Sequence, residues 1–272
     1  DQLTFSPPMN RIDQCFKRLR ENGSKGFIAY IGAGDPDLDA TKALSLSLGE
    51  TGVDILELGV PFSDPLADGL VNQLAAQRGL ESGTTPEGVL NTVKAIRRES
   101  DIPIVLYIYF NLMHRRGLDQ FIQSAAEAGV DGILALDLPP EEADEYQNLM
   151  KQAELASICL IAPTTPETRI QTIAARGAGF IYYISREGVT GMQKDMVSSL
   201  GQRVALIRKY TDLPIAVGFG VSTSDQVCQV AANCDAVVVG SAIVNQIAEH
   251  GNDPEMPAQL GEFVKRLASG LN

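Results

Sequence analysis

The feature that most constrains the fold of this 272-residue chain is a regular alternation of short apolar segments with longer amphipathic ones. The short segments are apolar at nearly every position, as strands of a parallel sheet are when helices cover both faces. The alternation therefore predicts a series of strand–helix units. The predicted strands are Gly26–Ile31, Asp54–Leu58, Pro103–Tyr109, Gly132–Leu136, Ser157–Ile161, Gly179–Ile184, Pro214–Val217 and Ala236–Val239.

The segments between the predicted strands are rich in helix-forming residues, with apolar side chains three to four positions apart. Thr165 and Ser224 are placed to cap two of these helices. Gly52 and Gly129 follow two others, where the chain must turn. An additional amphipathic helix, Asn10–Glu21, precedes the first strand and is placed to cover one end of a barrel. The other predicted helices are Asp37–Gly49, Pro86–Glu99, Gly117–Ala128, Glu141–Ala153, Thr165–Ala175, Met196–Tyr210, Ser224–Ala231 and Pro257–Leu271.

Eight strand–helix units without a linker or a change of composition predict a single (β/α)8 TIM barrel with an additional N-terminal helix. We expect this one domain to span residues 1–272, with a poorly structured start over residues 1–9. The length suits such a barrel, which typically takes about 250 residues. A doubly wound sheet with fewer strands is the alternative. In a barrel, the active site lies at the C-terminal ends of the strands.

Composition and charge narrow the function classes. The net charge is −12 and the pI about 4.6, which disfavours binding to nucleic acid or to an anionic membrane. No apolar run approaches the roughly 20 residues that span a bilayer. Cys15, Cys159, Cys228 and Cys234 lack CxxC spacing and are interpreted as free thiols in a reducing cytoplasm. The chain has two histidines, neither in a ligand cluster, so no metal site is expected.

The segment Leu56–Gly69, which spans the end of the second predicted strand and the loop after it, carries three acidic residues. Glu57 lies within an apolar run, where burial of a carboxylate is costly and raises its pKa. A carboxyl group of that kind can donate and accept a proton near neutral pH. A glutamate held in a structural ion pair remains the alternative at this point. Asp64 and Asp68, taken alone, are more typical of turn or capping residues.

Two glycine-rich loops and one polar loop follow later strands. Gly218–Ser222 follows the seventh predicted strand, and Gly240–Ile243 follows the eighth and opens a helix. Loops after strands seven and eight, with amides at a helix N-terminus, are the usual phosphate site of these barrels. Ser185–Met192, after the sixth strand, is interpreted either as a lid over the substrate or as a mobile surface loop.

Six motifs occur in a characteristic order from Asn10 to the C-terminus, and the longest of them, LELGVPFSDPLADG, is highly specific. They are IGAGDP (Ile31–Pro36), LELGVPFSDPLADG (Leu56–Gly69), DLPPEE (Asp137–Glu142), SREGVTG (Ser185–Gly191), VGFGVS (Val217–Ser222) and VVVGSAIV (Val237–Val244).

In these motifs the chain resembles the tryptophan synthase alpha subunit family. The resemblance implies a retro-aldol cleavage of indole-3-glycerol phosphate to indole and glyceraldehyde 3-phosphate, without a metal or cofactor in this chain. It also implies an α2β2 complex with a beta subunit that carries pyridoxal phosphate (PLP) and consumes the indole. The expected location is the cytoplasm, or the plastid stroma for a photosynthetic eukaryote.

The resemblance also assigns roles to individual residues. Glu57 matches the general acid and base, Asp68 the acceptor of the indole N–H, and Asp64 a residue that faces the beta subunit. The remaining matches form the indole pocket, the closing loop and the phosphate site. They are Tyr30, Tyr109, Leu134, Ile161, Tyr182 and Phe219 for the pocket, Thr190 and Gly191 for the closing loop, and Gly191, Gly220, Gly240 and Ser241 for the phosphate.

Five positions depart from the residues that the family usually has, namely Gly32, Leu70, Asn72, Tyr107 and Leu136. Those near Asp68 leave two alternatives open. One is a stand-alone indole-3-glycerol-phosphate lyase of specialised metabolism, with the same chemistry. The other belongs to a different class, a weakly catalytic barrel that acts mainly as an activator of a beta subunit.

Overall fold

The computed structural model describes residues 9–184 and 194–271, which form a closed barrel of eight parallel strands. Each strand pairs with the next along the chain, and β8 pairs with β1, so the barrel prediction is confirmed and the open doubly wound sheet is excluded. The poorly structured start stays a prediction, because residues 1–8 lie outside the described residues. The strands are β1 (Gly26–Gly32), β2 (Ile55–Gly59), β3 (Ile104–Ile108), β4 (Gly132–Ala135), β5 (Ala156–Ile161), β6 (Ile181–Ile184), β7 (Ile215–Gly218) and β8 (Ala236–Val239).

The described helices surround the barrel, and short 3₁₀ turns occur at Pro140–Glu142 and Ser269–Leu271. None of the helices in these residues combines the length and the apolar character needed to cross a membrane. They are α1 (Arg11–Glu21), α2 (Leu38–Glu50), α3 (Leu70–Glu81), α4 (Pro86–Ile96), α5 (Phe110–His114), α6 (Leu118–Ala128), α7 (Asp144–Gln152), α8 (Glu167–Ala174), α9 (Lys194–Arg208), α10 (Ser224–Ala231), α11 (Ser241–His250) and α12 (Met256–Ala268).

The helices are capped by residues of the predicted kinds, but some of them begin at slightly different positions from those predicted. The cap of α10 is Thr223, one residue before the predicted Ser224, and it forms a reciprocal capping box with Gln226. The predicted cap Thr165 instead accepts a hydrogen bond from the backbone N–H of Ala162, so α8 begins later than expected. Gly129 ends α6 in the left-handed conformation, as predicted.

Helix α3 was missed from the sequence because it lacks a clear apolar stripe. Its side chains Leu70, Leu74 and Leu80 are exposed, and Gly69 precedes it without a side-chain cap. The pattern of a helix packed by one face was therefore absent. This helix matters for function because it follows Asp68 directly.

Alternating side chains along the strands form two apolar cores. One fills the barrel and includes Tyr30, Tyr107, Leu134 and Tyr182, while the other lies between strands and helices. Helix α1 closes the N-terminal end of the barrel, where Phe16 packs on Phe180 with ring centroids 5.7 Å apart. The opposite, C-terminal end of the strands is left for the site.

Candidate active site

Glu57 occupies the middle of β2 and is fully buried. It pairs in register with Tyr30 of β1 and Val105 of β3, and all three side chains point into the barrel. Among the described residues, neither carboxyl oxygen of Glu57 has a hydrogen-bond partner. Burial raises its pKa to about 8. The alternative interpretation of Glu57, a glutamate held in a structural ion pair, is thus not observed among the described residues. With this raised pKa, the carboxyl group is protonated at neutral pH.

Asp68 lies in the loop between β2 and α3 and is held by two tyrosines. The hydroxyl of Tyr107 donates to Oδ1 at 2.7 Å, and that of Tyr109 donates to Oδ2 at 2.8 Å. The Tyr109 hydroxyl also accepts from the backbone N–H of Ala67 at 2.9 Å. Gln73 donates to the Asp68 carbonyl oxygen at 3.0 Å. The position of the carboxylate is therefore set before any substrate arrives.

Glu57 and Asp68 share two tyrosine neighbours, Tyr30 and Tyr182. Burial raises the pKa of both hydroxyls well above the ordinary value, and the charges of both acids add to the effect. Both hydroxyls therefore stay protonated. Each of the two rings is therefore within electrostatic reach of both acids.

A small cavity lies beside Asp68. It is bounded by Tyr30, Tyr107 and Tyr109, and by Gly59 at the end of β2. A methyl group on Gly59 would lie 2.2 Å from the Tyr30 hydroxyl oxygen, a distance that real contacts do not show. Glycine at this strand end thus makes room for the Tyr30 ring.

An ion pair joins the loop after β1 to α3. Arg78 donates to both oxygens of Asp35, at 2.8 and 2.7 Å, and Asp35 is buried. Gly32 permits this close approach, because a methyl group there would lie 3.2 Å from the Ala75 side chain. The departure at Gly32 therefore has a packing reason, and the helix that follows Asp68 is held tightly.

The expected phosphate-binding residues lie at the ends of the neighbouring strands β7 and β8. Gly220 is exposed and has a φ of +63°, in the left-handed region that favours glycine. Gly240 precedes α11, whose first residue is the exposed Ser241. The N-terminus of a helix presents amides and a partial positive charge to an anion. The closing-loop residues Thr190 and Gly191 lie outside the described residues.

Two residues that were predicted to line the pocket do not point into the barrel. Ile161 and Phe219 are buried in the core between strands and helices, not inside the barrel. On β5, Leu160 and not Ile161 packs with the barrel interior. The physical reason is that side chains alternate along a strand, and a shift of one residue changes the face. Leu134 does face the interior, as expected.

Tyr107 is the residue whose importance the sequence did not reveal. It was noted as a bulky departure, whereas its hydroxyl is bonded to Asp68. One signal was present, since Tyr107 and Tyr109 are two positions apart and therefore lie on the same face of an extended segment. Its partner could not be deduced without the fold. The exposed Asp64 receives a hydrogen bond from the Ser63 hydroxyl at 2.6 Å.

Comparison with known proteins gives a consistent result along nearly the whole chain. A sequence model of the family described as tryptophan synthase alpha chain matches residues 16–271. A tryptophan synthase alpha chain from Opitutus terrae is 51% identical over 263 residues, covering 96% of this chain and 99% of the relative. One from Geotalea daltonii is 44% identical over 263 residues, covering 97% and 99%.

Solved structures agree with the sequence relatives. The tryptophan synthase subunit alpha of Legionella pneumophila superposes with a TM-score of 0.89 at 37% identity, covering 97% of this chain and 98% of that one. A chain from a structure of Mycobacterium tuberculosis tryptophan synthase gives a TM-score of 0.88 at 32% identity, with 97% and 98% covered.

Proposed function

The chain belongs to the tryptophan synthase alpha chain family and cleaves indole-3-glycerol phosphate in tryptophan biosynthesis, and we propose that Glu57 and Asp68 perform this reaction. The observation that carries the proposal is the pairing of a buried, protonated Glu57 with a carboxylate held by two tyrosines. Alpha chains of this family use no cofactor, and PLP belongs to the beta subunit.

Glu57 handles the proton in both directions. Its carboxylic acid protonates C3 of the indole ring, which turns the ring nitrogen into a cationic iminium. The resulting Glu57 carboxylate then removes the proton from the hydroxyl on the carbon attached to C3. The bond between that carbon and C3 breaks, its electron pair returns to the ring, and the hydroxyl carbon becomes the aldehyde. Glu57 ends the cycle protonated, as it began.

Asp68 stabilises the charge that the reaction creates. The ring nitrogen gains positive charge when C3 is protonated, and a carboxylate that accepts its N–H favours that state over the neutral ring. The tyrosine bonds support this role because they hold Asp68 in one place. Tyr30, Leu134, Leu160 and Tyr182 supply the walls around the indole.

We further propose that amides at the ends of β7 and β8 bind the phosphate. Gly220, Gly240 and Ser241 provide the described part of this site, and Gly191 and Thr190 belong to the loop proposed to close over it. The overall charge of the chain repels an anion. A local site built from backbone amides and the start of α11 supports binding despite that charge.

Replacing Asp68 with asparagine is expected to lower kcat for indole release by about 100-fold, because loss of one preorganised electrostatic partner has an effect of that size. The matched control is Asp212→Asn, which alters an exposed aspartate at the other end of the barrel. Indole release from indole-3-glycerol phosphate is the measurement. Turnover of the Asp68 variant equal to the control would remove Asp68 from its role.

We propose that the partner is a PLP-dependent tryptophan synthase beta subunit in an α2β2 complex. Support comes from the loop Pro61–Leu70 and from α3, which expose Leu66 (88% exposed), Leu70 (70%) and Leu74 (46%) beside the acidic Asp64. Large apolar side chains gathered at one place on a surface are typical of protein interfaces. Related chains occur in structures of Mycobacterium tuberculosis tryptophan synthase.

Adding a beta subunit is expected to increase indole release by at least about 10-fold, a coupling of ordinary size between two sites. The test compares initial rates of the alpha chain alone and with saturating beta subunit. A high rate alone, unchanged by the partner, would favour the stand-alone lyase. Acceleration of the beta reaction without indole release would favour the activator alternative.

We also propose that the enzyme acts in the cytoplasm. Cys15, Cys159, Cys228 and Cys234 are all unpaired, which suits a reducing compartment.

A further inference from the structure

The ring and the hydroxyl of Tyr107 make different contacts. The strand β3 directs it into the barrel, and the segment then places Tyr109 on the same side two residues later. The Tyr107 ring packs edge-on against Tyr30, with centroids 5.1 Å apart. Its hydroxyl reaches beyond that contact and donates to Asp68 across 39 positions of sequence.

We propose that Tyr107 is a positioning residue for the cleavage, one that holds Oδ1 of Asp68 in place and keeps this carboxylate charged and aimed at the ring nitrogen of the substrate. The inference rests on the proposed role of Asp68 and adds a residue at a position where the family more often has Leu or Met.

The direction of the hydrogen bond is determined by chemistry. An ionised carboxylate can only accept, and a tyrosine hydroxyl that keeps its proton donates. The pKa of the Tyr107 hydroxyl is raised well above the ordinary value, first by burial and then by the charge of Asp68. The hydrogen bond is therefore charge-assisted, which makes it shorter and stronger than one between neutral groups. The observed 2.7 Å fits this description.

Tyr109 makes the second half of the same arrangement. It donates to the other oxygen of Asp68. Each carboxylate oxygen is therefore bound by one tyrosine hydroxyl, that of Tyr107 on β3 or that of Tyr109 directly after β3. Each of the two donors restricts the rotation of the carboxylate. Two donors two residues apart fix the plane of the group, and this plane decides where its oxygens face the indole N–H.

Other titratable groups face Asp68 from the neighbouring strands. They are Tyr30 on β1 and Tyr182 on β6, in addition to Tyr109, and Glu57 on β2 acts on the same Tyr30 and Tyr182. Tyr30 and Tyr182 keep their protons, and Glu57 is uncharged at neutral pH. A hydrogen bond donated to a carboxylate favours its charged form, so loss of the Tyr107 donor is expected to disfavour the charged form of Asp68.

The test compares Tyr107→Phe and Tyr107→Leu with the wild-type enzyme and with Tyr146→Phe. The control removes another buried tyrosine hydroxyl, one that donates to the carbonyl oxygen of Ile133 at 3.1 Å, outside the barrel interior. For each protein, kcat, KM, the pH profile of kcat and Tm are measured, with indole release as the assay.

Tyr107→Phe is expected to keep the ring contact and to lower kcat about 10-fold, with KM within about twofold of wild type. The acidic limb of the kcat profile should move up by about one pH unit, which corresponds to the same 10-fold factor. Tyr107→Leu should show the same shift of the acidic limb. Tyr146→Phe should leave kcat and the acidic limb unchanged, whatever its effect on Tm.

Wild-type kcat and an unshifted acidic limb in Tyr107→Phe would overturn the inference, and so would a defect confined to Tyr107→Leu, which would indicate ring packing alone. If Tyr107→Phe does not fold, the acidic limb of Tyr107→Leu decides the question. An inactive Asp68→Asn beside a normal Tyr107→Phe would leave the proposed function intact. A fully active Asp68→Asn would overturn both.

Discussion

Replacing Glu57 with glutamine is expected to lower kcat for cleavage by about 1000-fold, within the range that one general acid–base group contributes. Glutamine keeps the size of the side chain and removes only the proton that is transferred. Glu57 is fully buried inside the barrel, and neither of its carboxyl oxygens has a hydrogen-bond partner among the described residues. Single-turnover indole release from indole-3-glycerol phosphate measures the effect.

A binding measurement separates catalysis from folding in this variant. The affinity for a phosphate ester that carries an indole but lacks the cleavable bond should remain within about threefold of wild type, since the proposed phosphate site lies on β7, β8 and α11. The matched control is Glu50→Gln, an exposed glutamate at the end of α2. Near-normal turnover in the Glu57 variant would contradict the assignment.

The same substitution is expected to change how stability depends on pH. The pKa of Glu57 is about 8 in the folded protein, against an ordinary value of 4.5 for a glutamate side chain. Between these values the unfolded chain releases the proton and the folded chain keeps it. The contribution of Glu57 to stability is therefore complete below pH 4.5, falls as pH rises, and is lost above pH 8. At roughly 1.4 kcal/mol per pH unit, the loss amounts to about 5 kcal/mol.

Comparison of variants isolates this contribution from those of other titrating groups. The free energy of unfolding of Glu57→Gln minus that of wild type should increase by several kcal/mol between pH 5 and pH 8 in urea denaturation. The same difference for Glu50→Gln should stay flat. A flat difference for the Glu57 variant would mean that the group titrates normally, and the acid that begins the reaction would then be absent at neutral pH.

The two predictions have one physical origin. Glu57 sits on a strand whose side chains are all buried, so its charged form is destabilised by desolvation. The acid needed for C3 protonation thus exists at neutral pH because the folded protein disfavours the carboxylate. This is a cost in stability at a functional position, which the large apolar cores of the barrel offset.

Much of the architecture could be predicted from local patterns in the sequence. Apolar runs predicted the eight strands with boundaries within about two residues, because burial on both faces leaves a continuous signal in the sequence. Glu57 stood out for the same reason, as a carboxyl group inside such a run. The alternation of strands with helices predicted a barrel, and the pairing of β8 with β1 excluded the open sheet that it had left as the alternative.

Other features depended on contacts between distant segments. The sequence did not predict helix α3, because its exposed leucines obscure the apolar stripe by which helices usually pack. It assigned Ile161 to the pocket, although Leu160 faces the barrel interior. A single apolar run does not show which of two adjacent residues points inward. The register with the neighbouring strands decides it.

The sequence by itself therefore predicted the barrel, the end of the barrel where the site is expected, and Glu57 as a carboxyl group within an apolar strand, since each follows from the pattern of apolar runs along the chain. Only the tertiary structure decided which tyrosines reach Asp68. Tyr107 and Asp68 lie 39 positions apart, and their 2.7 Å contact exists because closure of the barrel brings the loop after β2 against β3. A hydrogen bond of this kind depends on the distance and direction between donor and acceptor, and the order of the residues alone gives neither.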